Sequence, residues 1–147
     1  MFRGNNPTRM DEKGRLKVPA DFKREIDERY ESNRFYITSR TGVTAEIYPI
    51  EEWEKIEQKL ATVPISNPHR KKFLEITNYY GQVVEMDGQG RLLLPGRLRD
   101  KANLTSDVAV VGMLTYLEVR NMEAYSKQIE ENPLTDDDAN ALSELGI

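Results

Sequence analysis

The sequence predicts an α+β fold dominated by short strands and built from two tandem copies of one small unit, with short flanking helices. Three observations predict it. Met10-Asp11-Glu12-Lys13-Gly14-Arg15-Leu16-Lys17-Val18-Pro19 returns 76 residues later as Met86-Asp87-Gly88-Gln89-Gly90-Arg91-Leu92-Leu93-Leu94-Pro95, with six of ten positions identical. A second block follows in the same order at an offset of 72, where Ala45-Glu46-Ile47-Tyr48 aligns with Leu117-Glu118-Val119-Arg120. Ile50, Glu51, Trp53 and Lys55 then align with Met122, Glu123, Tyr125 and Lys127. Finally, both copies pass through the same succession of strand-like and helix-like periods. Self-similarity at a fixed spacing marks a duplicated structural unit. The drop in offset by four places the extra residues of the first copy around Asp27 to Asn33.

The elements follow in chain order. Arg15-Leu16-Lys17-Val18 alternates polar and apolar, the period of a half-buried strand. Pro19 suits the first turn of a helix running to about Tyr30 and holds Val18 extended. Phe35–Thr38 and Glu46–Tyr48 are aromatic and β-branched and predict strands. Ile50 to Leu60 predicts a helix with Trp53, Ile56 and Leu60 inward and a Glu51–Lys55 pair outside. Asn67-Pro68 predicts a cap and first position for a linker helix that stops at Gly81. That helix presents Phe73, Ile76 and Tyr80 on one side. Strands are expected at 107–112 and 115–120. A closing helix over 122–131 has Met122, Tyr125 and Ile129 inward. The domain reading is a first repeat at 1–66, a linker helix at 67–81, a second repeat at 82–131 and an acidic tail at 132–147, mobile or weakly helical.

Composition narrows the function. The 147 residues are 38% hydrophobic and 31% charged, a well-solvated globular balance. No apolar run reaches the roughly 20 residues of a membrane span, and the N-terminus has no signal-like apolar stretch. A cytoplasmic protein is expected. With no cysteine and a single histidine, His69, neither disulfides nor a thiolate metal site is available. The net charge of −4 sits badly with a nucleic-acid partner until its distribution is read. Residues 9–24 carry six bases and three acids, and residues 86–101 carry four bases and two acids. Residues 133–147 carry four acids and no base. Two basic islands therefore sit on the two copies of the repeated motif.

The motif itself is Asp-x-x-Gly-Arg-Leu-x-hydrophobic-Pro. Asp opens a tight turn by accepting backbone N–H groups, and Gly supplies a positive φ. Leu16, Val18, Leu92 and Leu94 then face the core, while Arg15, Lys17 and Arg91 face away. Two readings of the arginine stand side by side. Asp11–Arg15 and Asp87–Arg91 can brace the hairpin, a contribution of about 0–1 kcal/mol at a surface. Alternatively the guanidinium contacts phosphate or a guanine edge. The surplus of Arg9, Lys13, Lys17 and Arg24 in one copy, and Arg97 and Arg99 in the other, favours the second, since a brace needs no such surplus.

These residues resemble the MraZ family. The paired motifs carry the resemblance, together with Met1-Phe2-Arg3-Gly4 and Tyr48-Pro49-Ile50-Glu51-Glu52-Trp53, over about residues 1–131. The resemblance implies two SpoVT-AbrB-like units forming a swapped-hairpin β-barrel, packed as an intrachain pseudo-dimer. It also implies a ring-shaped homo-oligomer bound to short direct repeats in double-stranded promoter DNA of the division and cell-wall gene cluster, with nucleoid association and no cofactor. The family's DNA-contacting positions fall on Asp11, Arg15, Asp87 and Arg91. Lys13, Lys17 and Arg9 complete the expected DNA-binding set. Gln89 and Leu93 replace Lys13 and Lys17 in the second copy, so that site is expected to be the less positive. Arg9 stands where an uncharged residue is expected, and the tail falls outside the resemblance.

Three other readings compete with this one. Asp11 and Asp87 could meet as a proton-sharing acid pair, but each precedes an arginine that holds it ionised, and the Ser or Thr expected beside a catalytic Asp is replaced by Glu12 and Gly88. Arg70-Lys71-Lys72 could touch phosphate or form a solvated helix face. The whole could be an adaptor ring whose main partner is protein.

Overall fold

A computed structural model describes residues 1–147. Fourteen elements follow one another: β1 (Asn5–Arg9), β2 (Arg15–Lys17), α1 (Ala20–Arg29), β3 (Arg34–Thr38), β4 (Ala45–Pro49), α2 (Ile50–Ala61), α3 (Pro68–Tyr79), β5 (Gln82–Glu85), β6 (Arg91–Leu93), α4 (Gly96–Lys101), β7 (Asp107–Gly112), β8 (Leu117–Asn121), α5 (Met122–Glu131) and α6 (Asp136–Ser143). The fold is mixed α+β. Six strands form an antiparallel sheet in the order β1-β7-β8-β4-β3-β5, and β2 pairs with β6 in a separate ribbon.

Pairing between the copies follows the duplication. In the ribbon, Leu16 faces Leu92, with Arg15 opposite Leu93 and Lys17 opposite Arg91. At the centre of the sheet, Glu46 faces Glu118, with Ala45 opposite Val119 and Ile47 opposite Leu117. Both registers map onto themselves when the copies are exchanged, which is the signature of an approximate two-fold relation. The outer strands trade places: β1 of the first copy lies on β7 of the second, and β5 of the second lies on β3 of the first. Residues of opposite charge are register partners at both outer pairings, Arg9 with Asp107, whose side chains form an ion pair, and Arg34 with Glu85.

One core results. Leu16, Phe22, Phe35, Ile37 and Ile47 from the first copy merge with Leu92, Leu94, Leu98, Val108, Val110 and Leu117 from the second. Leu16 and Leu92 are both 0% exposed. Each such burial stabilises by about 1.5–3 kcal/mol.

The structure differs from the sequence expectation in several places. Strands β1 and β5 were not anticipated. Asn5-Asn6-Pro7-Thr8-Arg9 has no apolar alternation to reveal it, and as an edge strand it needs only backbone partners and tolerates Pro7. The four extra residues of the first copy are helical, since α1 spans ten residues where α4 spans six. Lys55 pairs with Glu52 at 2.9 Å, not with Glu51. Ile129, expected to face inward, is 53% exposed. The reason is asymmetric cover. Trp53 on α2 stacks against Tyr36 at 4.6 Å and Phe73 of α3 at 6.2 Å, whereas no element covers α5 in the same way. The tail holds α6, a capped two-turn helix, with every residue from 132 to 147 exposed. No helix is long and apolar enough to cross a membrane.

Candidate nucleic-acid interface

The two copies of the motif fold alike. The Asp11 carboxylate accepts the N–H groups of Lys13 and Arg15, both at 2.9 Å, through Oδ1, and Arg15 Nε at 2.7 Å through Oδ2. Asp87 accepts from Gln89 N and Arg91 N at 2.9 Å and from Arg91 Nε at 2.8 Å. Gly14 and Gly90 take φ of +84° and +73°, and each donates its N–H back to the Asp carbonyl. The turn is thus closed by backbone and carboxylate together. The Arg15 N–H bond, joined by its guanidinium and the Lys13 N–H, holds the Asp11 carboxyl below its ordinary range. The Arg91 N–H does the same for Asp87, with its guanidinium and the Gln89 N–H.

Both readings of the arginine are therefore compatible with this geometry. The brace exists, and it occupies Nε alone. A guanidinium has five N–H donors in a planar fork, so the terminal Nη groups of Arg15 and Arg91 keep theirs. A carboxylate tied to three donors is also a poor member of a proton-sharing pair, so the turn geometry favours a brace over acid–base chemistry.

The β2·β6 ribbon assembles these groups on one surface. Leu16 and Leu92 point into the core. On the other face lie Arg15, Lys17, Arg91 and Leu93, with Lys17 directly opposite Arg91. Val18 N donates to Gly90 O and Leu94 N to Gly14 O, fastening each strand's exit to the partner copy's turn.

Basic side chains cross between copies. Lys17 Nζ donates to the carbonyl of Gln89, and a Cβ placed on Gly90 would meet Lys23 Cδ at 3.4 Å. Arg99 of α4 lies over the first turn, so close that a Cβ on Gly14 would come within 2.3 Å of its guanidinium carbon. Its Nε donates to Leu94 O at 2.9 Å. The charge deficit expected at the second turn, where Gln89 and Leu93 stand for lysines, is offset by Lys17 and Lys23 reaching across. Lys23 is missing from the expected DNA-binding set, and Arg99 figures in the sequence only as part of the second copy's basic surplus. Their correspondence at the 76-residue offset was the available signal.

Of the other expected residues, Lys13 is exposed in the first turn. Arg9 lies at the end of β1, 79% exposed, with Nε 3.0 Å from Asp107. Arg24 sits 3.6 Å from Asp21 on the outside of α1. His69 is exposed on the first turn of α3, whose Asn67 cap accepts its N–H at 2.8 Å. No three His, Cys, Asp or Glu side chains cluster as a metal cage.

Comparison with known proteins bears on this surface. The family described as "MraZ protein, putative antitoxin-like" matches residues 1–76 and 81–145, two segments that fit the two tandem units. A protein of Acidobacterium capsulatum is 63% identical over 147 residues, covering all of both chains, and is named "Transcriptional regulator MraZ". One of Koribacter versatilis with the same name is 58% identical over 147 residues, again covering both chains in full. A third, from Syntrophobacter fumaroxidans, is 39% identical over 129 residues, 88% of this chain and 85% of the relative, and shares that name. The match reaches residue 145, so the acidic tail, expected to fall outside the resemblance, lies within it.

Proposed function

The chain belongs to the MraZ family, and on that premise we propose that it is a sequence-specific DNA-binding transcriptional regulator whose reading surface is the outward face of the β2·β6 ribbon. Membership in a family of transcriptional regulators also sets aside the enzyme reading. The observation that carries the proposal is the geometry of that ribbon. Two strands, one from each copy, present Arg15, Lys17 and Arg91 on a face whose reverse is anchored by fully buried Leu16 and Leu92. The major groove admits a two-stranded ribbon, and an arginine fork matches both guanine edges and phosphates. Asp11 and Asp87 orient the two guanidinium groups. Lys13 and the crossing Lys23 and Arg99 supply phosphate contacts at the rims, and Arg9 extends the basic surface along β1.

The exchange of β1 and β5 between copies supports the finer reading of the fold as a swapped-hairpin barrel of SpoVT-AbrB-like units, an intrachain pseudo-dimer with repeats at 1–66 and 82–131. One ribbon offers few charge contacts, so useful affinity calls for several copies on one DNA. A ring-shaped homo-oligomer on short direct repeats upstream of the division and cell-wall genes, held at the nucleoid, meets that need through effective concentration.

The test is fluorescence anisotropy on the DNA upstream of the protein's own operon beside a scrambled duplex, across a salt series. The proposal expects a steep salt dependence on both and tighter binding to the natural sequence. Equal affinity for both duplexes, or none, would overturn it.

A further inference from the structure

Helix α6 is capped at both ends, yet every one of its residues is exposed. At its start Thr135 Oγ1 accepts Asp138 N at 3.1 Å while the Asp138 carboxylate accepts Thr135 N at 3.0 Å, a reciprocal capping box. At its end Gly146 adopts φ +85°, with Ile147 N bonded to Leu142 O at 3.0 Å and Gly146 N to Ser143 O at 3.0 Å, the paired bonds of a Schellman stop. Both termini are thus encoded for a helix of eight residues. An isolated helix below about 12–15 residues is marginal in water and takes its stability from packing. Yet Leu134, Leu145 and Ile147 are 76–80% exposed, and Leu142 is exposed as well. The segment carries Asp136, Asp137, Asp138 and Glu144 and no base.

A surface of opposite character lies on α3. A cleft of about 220 Å³ is lined by Arg40, His69, Lys72, Phe73, Ile76 and Thr77. Phe73 and Ile76 supply its apolar lining, no acid lines it, and its cations are Lys72 and Arg40, the latter also paired with Glu46 at 2.7 Å. A second hollow of about 340 Å³ shares Arg40 and Ile76 with it and is bordered by Glu75, Tyr79 and Tyr80. The apolar lining fits the leucines of the arm and the cations fit its acids.

We propose that the C-terminal arm of one molecule docks in the α3 cleft of a second copy of this chain, with Leu142 and Leu145 on Phe73 and Ile76 and the α6 acids facing Arg40, His69 and Lys72. The two surfaces differ, so the contact is head-to-tail and propagates from copy to copy until it closes. It rests on the homo-oligomer reading above and names the interface that reading leaves open. Charge selects this receptor over the open face of α5: no acid lines the α3 cleft, whereas α5 carries Glu123, Glu130 and Glu131 beside Lys127 and the Arg120 that lies over Tyr125.

The cysteine-free chain permits a clean test. The mass in solution of the full chain would be compared with a chain ending at Asn132 and with Lys72→Glu, alongside disulfide trapping between molecules carrying Leu145→Cys and molecules carrying Ile76→Cys. The expected results are a fall in mass for the shortened chain, weaker assembly for Lys72→Glu that raised salt does not restore, and covalent dimers from the mixed pair. An oligomeric full chain whose mass survives truncation would overturn the proposal and leave the ring reading intact. A monomeric full chain would overturn both. Trapping of Leu145→Cys by Ile129→Cys instead of Ile76→Cys would move the arm to α5 and overturn the cleft assignment. Unchanged mass with DNA binding strengthened by truncation would place the arm on the basic ribbon instead.

Discussion

Replacing Leu92 by alanine should destabilise the protein far more than replacing its neighbour Leu93. Leu92 is 0% exposed and faces Leu16, also 0% exposed, at the centre of the β2·β6 register. Leu93 is one residue away, on the outward face, and 51% exposed. Truncating a fully buried leucine removes its transfer free energy and leaves a cavity, a loss of about 2–5 kcal/mol. For a chain of this size each kcal/mol moves Tm by roughly 2–4 °C, so Leu92→Ala should lower Tm by about 4–20 °C. Leu93→Ala should stay within about 0.5 kcal/mol of wild type, as outward substitutions do. Because Leu16 and Leu92 share one cavity, the double variant should lose less than the sum of the single losses. The assay is thermal and denaturant unfolding followed by circular dichroism at fixed protein concentration, with the denaturant slope checked for constancy. Equal losses at 92 and 93, or strict additivity of 16 and 92, would refute the placement of the ribbon over a shared core.

Other predictions concern the charged groups. Asp11 and Asp87 have folded-state pKa values held below their ordinary value of 3.8, so their contribution to stability is present above that value and fades as pH falls through the folded pKa. The double variant Asp11→Asn/Asp87→Asn should flatten the acid limb of a stability–pH profile, and an unchanged limb would contradict the brace. Glu118 shows the opposite sign: burial, then the facing Glu46 carboxylate, raise its pKa above 4.5. Its ionisation therefore removes stability as pH rises from that value toward the folded pKa, and Glu118→Gln should raise Tm at neutral pH and leave it little changed in acid. Gly14→Ala forces a Cβ onto a φ of +84° and into the Arg99 guanidinium. The backbone strain alone costs about 1–2 kcal/mol, and DNA affinity should fall with it as Arg99 is displaced.

Much of this architecture was legible in the sequence because the duplication repeats both chemistry and spacing. The inward setting of Leu16, Val18, Leu92 and Leu94, and the turn built on Asp11 and Gly14, follow from local alternation and turn chemistry. Strands β1 and β5 were hidden because edge strands are held by backbone bonds that side-chain periodicity does not encode. The exposure of Ile129 was hidden for a different reason. Periodicity gives a helix an apolar face but does not say whether another element covers it, and α3 follows only the first copy's helix. The crossing of Lys17, Lys23 and Arg99 to the partner copy's turn depends on the pairing of β2 with β6, which no single stretch of sequence records. The repeat alignment of Lys23 with Arg99 pointed to them without saying where they lie.

On the proposed function the two braced arginines lead DNA recognition, and the most direct test is the salt dependence of operator binding for wild type, Arg15→Ala and Arg91→Ala at matched oligomeric state. A bidentate base contact is worth about 1–3 kcal/mol, so each variant should lose roughly 5- to 150-fold in affinity for the natural sequence while discriminating less against the scrambled one. If an arginine binds phosphate instead, the loss should be uniform across sequences and the salt slope should shrink by about one. Both substitutions leaving affinity, discrimination and salt slope at the wild-type values would contradict the ribbon as the reading surface.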